Sequence, residues 1–298
     1  MLGSVSLPLR SALLTSVLFC SLIAAGLAFG WSGERDACAE PPYCFCEAAR
    51  PGAVAQPANS GSTFGFVMMG IAIALHHGRR RRDPALANAS TGMSGDPRYA
   101  ALYAAVVVYM GPGSFFFHAT FTTWRGIADA ISMHFFILYV LAYEIGRGWS
   151  LGYERFRALY FGLAGFFVLQ RLIDVPATQV VFAGLVVLTL LLELQLAVPL
   201  RRLPGRLALG RRRDIHGSRG WLLAALGFFL AALAIWSMSD SGRPWCVPDS
   251  LWQGHAAWHL LSALTAGSVY LYFCAERGEI VRDRYQHQDA GLTGRPAR

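Results

Sequence analysis

Apolar residues in this chain come in long runs, broken by short polar stretches. The runs cover approximately residues 11–31, 61–77, 98–118, 126–146, 156–173, 177–198, 220–238 and 252–275. Each approaches the roughly 20 residues that an α-helix needs to cross the hydrocarbon layer of a bilayer. The pattern predicts an all-α fold: a polytopic membrane helix bundle with a seven-helix core and one extra N-terminal helix. Inside lipid each backbone polar group must be satisfied within its own helix. The predicted organisation is an N-terminal transmembrane helix or signal anchor (1–31), an extracytoplasmic segment (32–60), the core (61–275) and a cytoplasmic tail (276–298).

Composition agrees with that reading. Of the 298 residues, 54% are hydrophobic and 15% charged, against about 25% charged in soluble domains. The formal net charge is +8 and every basic side chain except histidine is arginine. The arginines gather in the loops at 78–84, 147–157 and 201–219 and in the tail. Those four regions alternate correctly if all are cytoplasmic, so the basic balance marks topology and not nucleic-acid binding. The opposite side then receives 32–60, Thr120–Arg125, 174–178 and 239–251. Arg10 before the first run, with "AGLA" near its end, has the look of a signal peptide. The run is longer than a signal core, which favours a retained helix. The Ala/Gly/Arg-rich composition without lysine points to a bacterial inner membrane. No obligate protein partner is implied.

Of the six cysteines, Cys38, Cys44, Cys46 and Cys246 fall on the outer side of this topology, where an oxidising compartment permits disulfides. A bridge from the 32–60 segment to Cys246 is expected, with its partner left open.

The chemistry concentrates at one depth. His255 and His259 in "HAAWH" are one turn apart at the start of the last run, on one helix face. His118 ends the third run and Asp129 begins the fourth, so the topology puts all four toward the same membrane face. Ionisable groups within spans usually mark function. Three imidazoles on Zn²⁺ leave a fourth position for water, whose pKa falls to about 7. Asp129 is then placed to act as general base or to orient a histidine. Ser114, one turn before His118, has a hydroxyl placed to meet a developing oxyanion. Taken singly, each has a bland reading: an interfacial ring, a packing hydroxyl, a helix cap. The set favours a metal site. His76, His77, His216 and His287 are expected in solvent on the cytoplasmic side, and His134 is expected buried and hydrogen-bonded. The tryptophans near span ends read as an interfacial belt.

Ser114-x-x-x-His118, Asp129 eleven residues on, and His255-x-x-x-His259 in the last span resemble the alkaline ceramidases. They also resemble the wider CREST superfamily of seven-helix membrane hydrolases. The likeness covers about residues 44–275. It implies that His118, His255 and His259 bind zinc, with Asp129 and Ser114 beside the metal water. It also implies a Cys46–Cys246 disulfide. In the family, acidic residues before the first core helix bind calcium. Here Glu47 and Asn59 remain but Gln56 stands where an acid is expected, and "DAISM" (129–133) lacks a second carboxylate. Calcium is therefore not expected to be held as in those relatives, since it takes six to eight oxygens. The implied activity is zinc-dependent hydrolysis of a membrane lipid with an amide-linked acyl chain. The alternatives are a lipid-ester hydrolase or remodeler of the same superfamily, and a non-catalytic lipid receptor with a structural zinc.

Overall fold

A computed structural model describes residues 5–40, 44–82, 92–173, 178–197 and 219–275. The predicted loops around 174–177 and 201–218, the tail from 276, His216 and His287 lie outside the described residues. Ten α-helices are found among the described residues: α1 (Leu7–Phe29), α2 (Pro57–Ser62), α3 (Phe64–Arg80), α4 (Gly92–Gly95), α5 (Pro97–Thr120), α6 (Thr123–Gly148), α7 (Tyr153–Leu172), α8 (Thr178–Ala197), α9 (Arg219–Ser239) and α10 (Gly254–Ala275). None of these residues forms a strand beyond one isolated backbone pairing. The second predicted run starts earlier than expected, because Pro57 opens α2, which passes into α3 through Thr63.

Among the described residues, five helical stretches are long and apolar enough to cross a membrane: Leu7–Phe29, Pro57–Arg80, Pro97–Thr120, Thr123–Gly148 and Arg219–Ser239. Leu14, Phe29, Phe166, Leu172, Val180, Leu223 and Leu230 point outward and stay exposed. Apolar side chains facing outward across several helices fit a lipid solvent. The protein is a helical membrane protein.

α5 is the central helix, packed against α1, α3 and α6, while α9 runs along α10. Asp96 caps α5, its carboxylate accepting from Arg98 N at 2.9 Å, with Pro97 in the first turn, where the missing N–H costs nothing. Pro112 lies inside the helix between two glycines. A Cβ on Gly113 would come within 2.6 Å of Ser132 Cβ, so α5 and α6 meet here at backbone distance. This close approach presents Ser114 and His118 to α6 and α10. α5 stops at Phe121, whose backbone is left-handed (φ 46) and whose N–H returns to Phe117 O.

α1 docks through Ala12, Ser16 and Phe19. The Phe19 ring sits among Phe64, Phe115 and Phe116, at 5.4–5.7 Å between centroids. After α1, residues 34–40 and 44–56 form a strap over the end of α5. Asp36 N bonds Phe121 O and Thr123 N bonds Glu34 O. Further along, Ala55 N bonds Ala119 O at 2.9 Å and Gln56 N bonds His118 O at 3.0 Å. Two disulfides fasten the strap, Cys38–Cys44 and Cys46–Cys246.

Charged groups also lie buried at the far end of the bundle. Arg147 of α6 pairs with Glu193 of α8 and, at 3.4 Å, with Glu144. The Tyr272 hydroxyl donates to Glu193. The Arg147 guanidinium lies 5.5 Å from the Tyr272 ring centre and 5.4 Å from that of Phe273. His77 corrects an expectation: it is fully buried, whereas His76 is exposed and bonds Tyr270 Oη at 3.1 Å. Consecutive helical residues point about 100° apart, so an adjacent arginine loop cannot keep both rings in water. His134 is buried, with Nδ1 against Ala130 O at 2.7 Å and its ring stacked on Phe167.

Candidate metal centre

Two helix ends supply the three imidazoles. The last turn of α5 carries His118, and the first turns of α10 carry His255 and His259. One potential ligand atom from each ring lies within 4.8 Å of the others. The Nε2 atoms of His118 and His255 are 3.1 Å apart. Two nitrogens held at about 2.0–2.1 Å in a tetrahedral zinc site are about 3.4 Å apart, so the donor set and its spacing fit that ion. His118 and His259 are buried and His255 is half-buried. Among the described residues no fourth His, Cys, Asp or Glu joins the group. The Phe45 ring packs 4.6 Å from that of His118 and 4.5 Å from that of His255, shielding them from the strap side.

Asp129 and Ser114 belong to the same neighbourhood. Ser114 Oγ is 3.1 Å from His259 Nε2, and its hydroxyl also interacts with the half-buried Asp129 carboxyl. Ser114 thus stands between a ligand ring and the α6 acid. All five residues expected at the centre come together. Nothing in this arrangement makes Ser114 a nucleophile, since the histidine it touches is itself a candidate ligand.

Glu47 and Asn59, the candidate calcium residues, lie just behind the imidazoles. The two Glu47 oxygens accept from Ala58 N and Asn59 N, each at 2.8 Å. They cap the start of α2, where helix N–H groups lack partners. Burial pushes the Glu47 carboxyl above its ordinary range, against these two bonds and the nearby Arg50 charge. Asn59 Nδ2 donates to Gln56 Oε1 at 3.0 Å, leaving Asn59 Oδ1 without a hydrogen-bond partner. One free oxygen is far from the six to eight that calcium takes.

Sequence reasoning missed two residues of the surroundings. Gln56 Oε1 lies 2.8 Å from His118 Nδ1, and Ser62 Oγ lies 2.8 Å from His259 Nδ1. Their signal in the sequence is faint: polar residues spaced six apart around Pro57, just before the first core helix. Cys38–Cys44 was also not anticipated. Cys46–Cys246 joins the strap to the loop before α10, and Ala48 N bonds Pro248 O beside it at 3.0 Å.

Comparison with curated proteins finds no match. Residues 44–290 match the family described as Ceramidase, a span that holds the Cys46–Cys246 disulfide, all three imidazoles, Ser114 and Asp129. That match, over most of the chain, makes it a member of the Ceramidase family, hydrolases of amide-linked lipids.

Proposed function

We propose that the protein is a zinc-dependent hydrolase that cleaves the N-acyl bond of a ceramide-like membrane lipid. The observation that carries this reading is the convergence of three imidazoles from two distant helices, with a hydroxyl and a carboxyl beside them. His118, His255 and His259 would hold the metal. Bound there, zinc supplies Lewis acidity toward a carbonyl oxygen and toward water. The Asp129 carboxylate takes a proton from the attacking water and returns it to the leaving amine nitrogen. The Ser114 hydroxyl donates to the substrate carbonyl oxygen as its charge grows. The acyl chain lies among apolar helices, and Phe45 limits access of bulk water from the strap side.

The absence of a fourth protein ligand among the described residues favours this enzyme over a receptor with structural zinc, which usually has four. Both disulfides lie at the imidazole end of the bundle, and disulfides persist in oxidising compartments. This supports an active site toward the extracytoplasmic face; the arginine-rich loops and tail and the lysine-free composition are what suggest a cytoplasmic C-terminus and a bacterial inner membrane.

The test is incubation of purified protein with a total membrane lipid extract, before and after removal of zinc with a chelator. Mass spectrometry is expected to show amide-linked lipids losing a fatty acid, and the loss ceasing without zinc. Release from ester-linked lipids alone would transfer the chain to the remodeler reading. Hydrolysis that persists in the chelated protein would overturn the metal mechanism.

A further inference from the structure

The Gln56 amide is held one way round. Its Nε2 donates to the Glu47 carbonyl, which turns Oε1 toward His118 Nδ1 at 2.8 Å and Asn59 Nδ2 at 3.0 Å. An amide oxygen only accepts. The shared proton therefore sits on His118 Nδ1, leaving the lone pair on Nε2, the atom 3.1 Å from His255. Ser62 works to the same end. Its single hydroxyl proton is directed at Asn59 O, 2.8 Å away. The oxygen is left to accept from His259 Nδ1 at 2.8 Å, and His259 Nε2 keeps its lone pair facing Ser114. His255 differs, because its Nδ1 is buried without a hydrogen-bond partner.

Resting on the metal reading above, we infer that Gln56 and Ser62 are positioning residues that lock two of the three ligating imidazoles in the metal-ready tautomer. A neutral amide does this where a carboxylate would add a buried charge. Gln56 ends the strap and Ser62 ends α2, the short helix the strap leads into, so this segment presents the metal centre as well as covering it. The Gln56 backbone N–H bonds His118 O at 3.0 Å, and its side chain joins Glu47 O and Asn59 Nδ2 to the ring.

The experiment measures zinc affinity of the purified full-length protein by competition with a chromophoric chelator, alongside the Tm of the metal-free protein. Gln56→Leu and Ser62→Ala are each expected to weaken zinc binding by about 10- to 100-fold; the metal-free Tm should change little in Ser62→Ala and fall modestly in Gln56→Leu, which also leaves Glu47 O and Asn59 Nδ2 without their partner. Ser62→Thr, which keeps the hydroxyl, should remain within a few-fold of wild type. Wild-type affinity in both Gln56→Leu and Ser62→Ala overturns the inference. So does a drop in metal-free Tm that accounts for the lost affinity. A wild-type protein that binds no zinc overturns the metal reading and this inference with it, whereas variants with unchanged affinity overturn this inference alone.

Discussion

Two polar clusters lie buried at opposite ends of the bundle. On α6 they are separated by 18 residues, Asp129 to Arg147, or about 27 Å of helix. At the far end Arg147 meets Glu193 and Glu144, and Tyr272 donates to Glu193. Positive and negative partners are both present, so the burial of charge there is answered from within the protein. At the strap end, three neutral bases face one another. Beyond one another, the rings meet the Gln56 amide and the Ser62 and Ser114 hydroxyls, none of them a cation. Lone pairs pointed together with no positive partner are poor packing and good coordination chemistry. The first cluster joins helices; the second has the donor set that could hold a metal ion.

Removing a ligand tests that contrast most severely. His259→Ala should abolish zinc binding and lower lipid-amide hydrolysis by more than about 1,000-fold, with the loss carried by the metal. Metal content by atomic emission and fatty-acid release by mass spectrometry check both halves. Full activity in this variant would refute the site. Asp129→Asn should retain zinc while activity falls roughly 100- to 10,000-fold, the range for a lost general base. Parallel loss of metal and activity there would recast Asp129 as a structural support. Arg147→Met should have the opposite signature. Leaving Glu193 and Glu144 without their cation should cost roughly 3–5 kcal/mol of stability, seen as a lower Tm. Turnover per folded, zinc-loaded molecule should stay close to wild type. A specific loss of turnover would bring the far cluster into the chemistry.

Smaller effects sharpen the role of the strap. Replacing Cys46 and Cys246 together with serine should lower stability by roughly 2–4 kcal/mol and speed zinc loss to a chelator. Unchanged zinc retention would mean that the strap holds its place without the bridge. Glu47→Gln should cost about 1 kcal/mol, the usual worth of an N-terminal cap, because one of its two acceptor oxygens becomes a donor. A larger fall in Tm, uncorrected by zinc, would assign Glu47 more than capping.

The helical fold was legible because membrane helices announce themselves by run length, and the described helices fall on the expected runs. The His255/His259 pair was legible from its one-turn spacing. His118 and Asp129 followed from depth, since adjoining spans turn around at the same face. Gln56 and Ser62 were not legible, because their roles arise from long-range register: Gln56 from pairing of the strap with α5, through Ala55 with Ala119 and Gln56 with His118, and Ser62 from the packing of α2 on α10. No periodicity encodes that register. His77 was misjudged by neighbourhood: arginines follow it in sequence, but its ring direction is fixed by rotation about the helix. The Arg147–Glu193 pair was missed because each charge stands inside or beside an apolar run, with its partner two helices away.

The bridge from Cys46 to Cys246 spans 200 positions of sequence, and the imidazole group likewise draws on both halves of the chain. During synthesis the strap emerges early and must wait for nearly the whole polypeptide before it can be fastened. A ribosome that stalls before Cys246 leaves a chain with one imidazole of the three and an unpaired thiol at Cys46. On the metal reading proposed above, such a fragment lacks two of the three ligands, so the centre is completed only after translation has delivered the last helix.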